Sequence, residues 1–456
     1  MRTTVYRGYL LAVLAIIFAF NNVDRLALGI VLQDIKLDLH LSDTQLGLLT
    51  GIAFAFFYSL MGIPIARWAD RGNRITIISS TTSLWSAALA LCAMAATFLQ
   101  LLLFRVCAAV GEAGCLPSAL SLIADYFPRA ERPRAVALYL QGGSLSLLLG
   151  YFLAGWLNQF YGWRSTFLWI GLPGLALAVL AFVTLREPRL GRMGVRPSGT
   201  TAAAGDDSPM ASTPPSLRPA RFIDVCATLW TNSTFRQILF FYSIMCFFNL
   251  GLVQWQPAFL IRSFGLRTGE LGTWSAAVCG FGMMAGLYLG GEWASRRAAR
   301  NERLQLRAMA IMWCLVGAAS CAIYLSPNKY WAFGFMALWN IAGTTSSGPL
   351  NAMIQSLVPE RMRATAMTVV LLFANLIGMG LGPLAIGALS DLIRPWLGQE
   401  SLRYALLATS PGYLWGAWHL WRASHTVTHD LDALGVQSAR SRSDGPRMTL
   451  SNEMAP

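Results

Sequence analysis

Apolar residues in this chain come in long blocks, separated by short polar segments in which arginine dominates. A block of about 20 apolar residues is long enough to cross the hydrocarbon core of a bilayer. Inside lipid the backbone has to satisfy its own hydrogen bonds, so each block predicts a helix. The pattern predicts spans at 6–33, 45–66, 75–96, 99–124, 134–158 and 165–185, then at 236–262, 270–294, 305–325, 329–355, 364–390 and 402–422. The predicted fold class is an all-α polytopic membrane protein with twelve transmembrane helices in two sets of six. We divide the chain into a first six-helix bundle at 1–187, a cytoplasmic linker loop at 188–235, a second six-helix bundle at 236–424 and a disordered cytoplasmic tail at 425–456. The stretch Ser198–Pro219, rich in Pro, Ser, Thr and Gly, reads as flexible linker.

The polar segments fix a direction. Most of the 35 Lys and Arg residues fall in alternate loops, the linker and the two termini, with few in the loops between. Basic residues collect on the cytoplasmic side of a membrane protein, so both termini are expected in the cytoplasm, with the chain in a bacterial inner (plasma) membrane. This placement accounts for the net charge of +13 without a nucleic-acid partner. Composition agrees: 12% of residues are charged and 55% hydrophobic, against roughly 25% charged in soluble domains. The first apolar run is too long for a signal peptide and lacks a small-residue cleavage site, so it reads as the first span. Eight cysteines form no CxxC pair and nearly all lie inside apolar blocks, as buried small apolar residues would. Metalloprotease, serine-hydrolase and Walker patterns are absent from the sequence. An enzyme is not expected, nor any cofactor or metal.

The halves repeat one another. Leu41, Leu46 and Gly47 match Leu266, Leu271 and Gly272, and Trp68, Ala69 and Arg71 match Trp293, Ala294 and Arg296 at the same offset. Glu131–Ala137 and Glu360–Ala366 share most of their residues at nearly that offset. A parallel repeat implies two bundles related by an axis along the membrane normal, with a binding site between them near the midplane.

At this point a resemblance carries further. The segment Ala66-Arg67-Trp68-Ala69-Asp70-Arg71-Gly72-Asn73-Arg74 resembles the major facilitator signature G-x-x-x-D-R-x-x-R, with Ala66 in place of its first glycine. Asn21-Asn22-Val23-Asp24-Arg25, together with Arg105 and Val110-Gly111-Glu112-Ala113, resembles the Spinster-type branch of that superfamily. The resemblance implies the major facilitator fold and alternating access. Spinster-type proteins are associated with export of sphingosine phosphate and lysophospholipids, and some are proposed to be proton-coupled. In the superfamily, the acidic residue of the signature loop contacts the opposite bundle and latches one state. This places Asp70 and Arg71 opposite Arg361 and Arg363.

Four charges fall inside the first-half spans: Asp24, Arg25, Arg105 and Glu112. Each costs roughly 2.5–3.5 kcal/mol at the bilayer centre, so each needs a partner or a task. Arg105 and Glu112 are about two turns apart and can face one cavity, whereas Asp24 and Arg25 diverge by about 100°. Ion pairing between the first and fourth helices is the plain explanation. The fuller one adds substrate and proton binding: an arginine holds an anionic head through its planar fork of donors, and a carboxylate caught between low dielectric and a nearby arginine loads and releases a proton. Glu112 is the foremost proton carrier by this reading, with Asp24 its rival.

The second half offers uncharged polar and aromatic groups. Tyr58, Phe247, Asn249, Trp255, Asn340 and Asn375 are candidates for the cavity wall, with Phe54, Phe57 and Phe248 also available to a tail. Glycines cluster at 142–155 and 378–387, as close packing and bending both require. The expected function is secondary active transport of an amphipathic anion or zwitterion, lysolipid-like or sphingosine-phosphate-like, coupled to protons and carried out by a monomer surrounded by membrane lipid. The alternatives are a multidrug or small organic-anion carrier of the same fold, and a non-transporting receptor or scaffold.

Overall fold

The computed structural model describes residues 2–128, 131–188, 230–298, 301–358, 366, 370 and 372–443. These residues are overwhelmingly helical, and no strand occurs among them. In the first half the helices are α1 (Arg2–Leu39), α2 (Asp43–Thr50, resuming as Ile52–Arg71), α3 (Arg74–Cys92), α4 (Phe98–Glu112, resuming as Cys115–Tyr126), α5 (132–161) and α6 (163–184). In the second half they are α7 (Ser233–Phe264), α8 (Thr268–Arg297), α9 (Glu302–Leu325), α10 (Lys329–Thr345, resuming as Ser347–Ser356), α11 (Ala374–Leu381, then Gly382–Leu397) and α12 (Ser401–Thr409, then Gly412–Ser443). The helices follow one another in two sets of six, as the hydropathy pattern predicted.

Local chemistry sets the boundaries. Ser42 and Gln45 form a reciprocal capping box at the start of α2. Asn73, Thr97, Asn232, Asn301 and Asn328 accept from the first-turn amides of α3, α4, α7, α9 and α10. Gly162, at φ 78°, turns the chain between α5 and α6 with almost no loop. The breaks inside α2, α4 and α10 and the π-helical opening of α11 were not visible in the hydropathy pattern. At its far end α12 continues as helix to Ser443, beyond the expected tail boundary at 425. Val427 is buried there, and the Asp430 carboxylate accepts from the Thr234 amide, which ties this turn to the start of α7.

The bundles meet along α2–α11, α5–α8 and α1–α7. The closest approaches lie at the end of the molecule carrying the α1–α2 turn, called here the α1–α2 end. A Cβ at Gly47 would stand 2.6 Å from the Pro383 carbonyl oxygen, and one at Gly272 would collide with the Tyr151 carbonyl. Only glycine lets these backbones approach so closely. Cys92, Cys115, Cys246 and Cys279 are buried, as expected for small apolar residues. Cys107 and Cys314 are instead exposed.

Candidate functional site

The apolar run of α1 brings Asp24 and Arg25 to the middle of the first bundle, and α4 brings Arg105 and Glu112 to the same level. All four are together. Arg105 Nη1 donates to Asp24 Oδ2 at 2.7 Å. Arg25 donates to Glu112 Oε2 from Nε at 2.8 Å and from Nη2 at 2.7 Å. The assignment of partners follows from helix geometry. Adjacent residues on α1 point about 100° apart, and side chains lean toward their helix's N-terminus. Arg25 therefore reaches back along α1 to Glu112, two turns from Arg105 on the antiparallel α4. Arg105 and Glu112 share a helix face, as their spacing predicted, yet each is held by α1 and not by the other.

Exposure separates the four. Asp24, Arg105 and Glu112 are 0%, 2% and 1% exposed, while the Arg25 side chain keeps 24% of its surface open. Phe54 and Tyr58, one turn apart on α2, stack on each other and lie beneath the Arg25 guanidinium at 4.8 and 4.9 Å. Phe54 also faces Arg105 at 5.2 Å. The two aromatics form a platform for the cationic groups, where the sequence had suggested contact with a tail. One oxygen of each carboxylate, Asp24 Oδ1 and Glu112 Oε1, is buried without a donor among the described residues.

Arg25 opens on a cavity of about 260 Å³ between the bundles, which the almost wholly buried Arg105 also borders; α7 and α11 wall its far side through Leu250, Val253, Met379 and Pro383. Of the other candidates, Tyr58 sits under Arg25 as described. Trp255 is fully buried and its Nε1 donates to the Pro383 carbonyl at 2.9 Å, joining α7 to α11. Asn340 is buried within the second bundle, donating to the Met336 carbonyl at 3.1 Å. Phe247 makes an edge contact with Phe248. Asn249 and Asn375 are half-buried on α7 and α11.

Arg361 and Arg363 lie outside the described residues, as do the side chains of Asp70 and Arg71. The last arginine of the signature is described. Arg74 is fully buried; its guanidinium pairs with Glu187 and, at 2.8 Å, with Asp125, and donates to the Ser121 carbonyl at 2.8 Å. It ties the start of α3 to α4 and to the chain just beyond α6.

Sequence reasoning missed a second charged cluster, at the α1–α2 end. Asp43 is fully buried and accepts from Lys36 Nζ at 2.5 Å, from Arg262 at 2.9 and 2.7 Å, and from Ser390 Oγ at 2.7 Å. Arg262 Nε also donates to Gln33 Oε1 at 2.6 Å. Asp391, from α11, accepts the first two amides of α2, Asp43 N at 3.0 Å and Thr44 N at 2.7 Å. The cluster joins the bundles through charge-assisted bonds, the stronger class of hydrogen bond. Lys36 and Arg262 sit at helix ends, where a basic residue ordinarily faces headgroups, so only three-dimensional pairing reveals them.

Comparison with known proteins gives the following. The Major Facilitator Superfamily pattern matches residues 14–383. An MFS-type efflux pump of Mycolicibacterium smegmatis is 32% identical over 424 residues, 92% of this chain and 93% of that protein. Protein spinster homolog 1 of Xenopus tropicalis is 25% identical, over 85% of this chain and 74% of its own length. The crystal structure of a bacterial homolog to the human lysosomal transporter Spinster, inward-facing and unoccupied, superposes with a TM-score of 0.78 at 30% identity, covering 93% of this chain and 98% of that one.

Proposed function

This chain belongs to the Major Facilitator Superfamily, and on that premise we propose that it is a secondary active transporter moving an amphipathic anion or zwitterion of the lysolipid or sphingosine-phosphate kind, by alternating access and with protons as the coupling ion. The observation that carries this reading is the pair of guanidiniums, Arg25 and Arg105, each held by a carboxylate and bordering a largely apolar cavity that both bundles wall. The guanidiniums receive the anionic head and the apolar walls receive the chain. Likeness to a Spinster homolog supports the cargo class.

Glu112 is the proton carrier in this scheme. Deprotonated, it occupies Arg25. Protonated, it no longer competes for that guanidinium, and Arg25 is free to take the anionic head. Proton and anion then favour one another, and cargo affinity rises as pH falls. Asp24 keeps Arg105 in place. With both termini cytoplasmic, the α1–α2 end faces outward, and the Asp43 cluster holds that side shut. Asp70 and Arg71 with Arg361 and Arg363 form the latch of the opposite state. The monomer is the working unit, in a bacterial inner membrane.

Proteoliposome flux of 1-oleoyl lysophosphatidate, with and without a pH gradient, tests the proposal. Flux that follows the gradient is expected. A gradient-independent protein that moves small organic anions and leaves the lysolipid in place would refute it. The efflux-pump name of the Mycolicibacterium relative favours a second reading, a carrier of drugs or small organic anions built on the same site.

A further inference from the structure

The cavity beside Arg25 has two unlike walls. On the first-bundle side its polar groups are Asn22, Arg25, Thr50, Arg105 and Ser146. Three of these are committed locally: Asn22 Nδ2 donates to the Phe18 carbonyl at 2.8 Å, Thr50 Oγ1 to that of Leu46 at 2.9 Å, and Ser146 Oγ to that of Gly143 at 2.6 Å. The second-bundle wall consists of Leu250, Val253, Gln254, Met379 and Pro383. Gln254 is its one polar side chain among the described residues. Its Nε2 is buried and has no acceptor there. It lies against α1 at Gly29, where a Cβ would stand 3.5 Å from it. A buried amide without a partner is unfavourable, and Gln254 does not turn back to bond its own helix as the three first-bundle groups do.

We infer that Gln254 is the second bundle's hydrogen-bonding contact for the head group of the cargo, and that the head group it fits carries a hydroxyl beside its anionic charge. The inference rests on the proposed anionic cargo. The guanidiniums hold anionic oxygens from one side. A primary amide on the other side offers an acceptor oxygen and a two-hydrogen donor, which complements a hydroxyl that both donates and accepts a hydrogen bond. Gln254 contributes no charge, so it discriminates between heads of equal charge. A cargo held by Arg25 and Gln254 together also spans the two bundles, and links head-group recognition to their approach.

The test measures binding of three probes to the full chain in lipid nanodiscs: 1-oleoyl lysophosphatidate, which has a hydroxyl near its phosphate; oleyl phosphate, which lacks it; and gluconate, a small hydroxylated anion. Gln254→Leu should bind lysophosphatidate about tenfold more weakly than wild type, the loss of one hydrogen bond near a charged group. Its affinity for oleyl phosphate should stay within about twofold. Gln254→Met, of similar length and without a donor, serves if the Leu variant does not accumulate. Unchanged lysophosphatidate affinity, or an equal loss on both lipids, overturns the inference. If wild type binds gluconate and neither lipid, the lysolipid reading fails alone. The inference is then judged on gluconate, where a tenfold loss upholds it and no loss overturns it. Binding of none of the three overturns both.

Discussion

Asp24 and Arg25 are neighbours in sequence and belong to different ion pairs. That the four intramembrane charges need partners was legible from the cost of burying them; which pairs with which was not, because helix rotation and neighbours decide it. The pairing changes what substitutions should do. Arg105→Ala leaves buried Asp24 without its hydrogen-bonded cation, and removing one partner of a buried pair typically costs about 3–5 kcal/mol. Its melting temperature in detergent should fall well below wild type, and Arg105→Ala with Asp24→Asn should recover most of the loss. No recovery in the double variant would contradict the pairing as the cause. Glu112→Gln resembles the protonated acid, so it should fold and bind cargo yet show a flat dependence of transport on pH. Asp24→Asn, at matched expression, should keep the wild-type profile. The opposite pattern moves the proton to α1.

At the scale of the element, hydropathy located the helices and missed their interruptions. Apolar length sets where a chain crosses a membrane, whereas the breaks at Gly51, at Ala113–Gly114 and at Ser346 arise from local packing that a window average erases. The extension of α12 was hidden for a similar reason: residues 425–433 are polar on average, and a buried Val427 and the Asp430 contact to α7 hold the turn. The glycine-rich faces were legible as close packing, but not which faces meet. Gly272 on α8 faces the Tyr151 carbonyl of α5. Gly272→Val should therefore disfavour the state closed at the α1–α2 end. Spin-label distances across that end should lengthen, with transport slowed severalfold or more; unaltered distances would mean the contact has no part in closure.

For the whole molecule, the internal repeat made two bundles and a cavity between them readable from the sequence. The Asp43 cluster that joins the bundles was not, since Lys36 and Arg262 look like ordinary helix-end cations. Arg262→Ala removes a partner of buried Asp43 and should raise the population open at the α1–α2 end. Accessibility of a cysteine introduced near that end to an impermeant thiol reagent measures the shift, and unchanged labelling rates would assign the cluster to stability alone. The topology has its own test. A cysteine placed within Ser198–Pro219 should stay unlabelled by impermeant reagent in intact cells; labelling there would invert the proposed orientation.

The first two amides of α2 donate to Asp391, a residue of the other bundle. When the bundles part at that end, α2 loses two of the acceptors that a helix start requires, and its first turn is exposed to solvent. The Asp43 and Thr44 amides should therefore report that opening. Their deuterium uptake is expected to rise with the open fraction, which mass spectrometry of the unlabelled protein would follow against pH or added cargo.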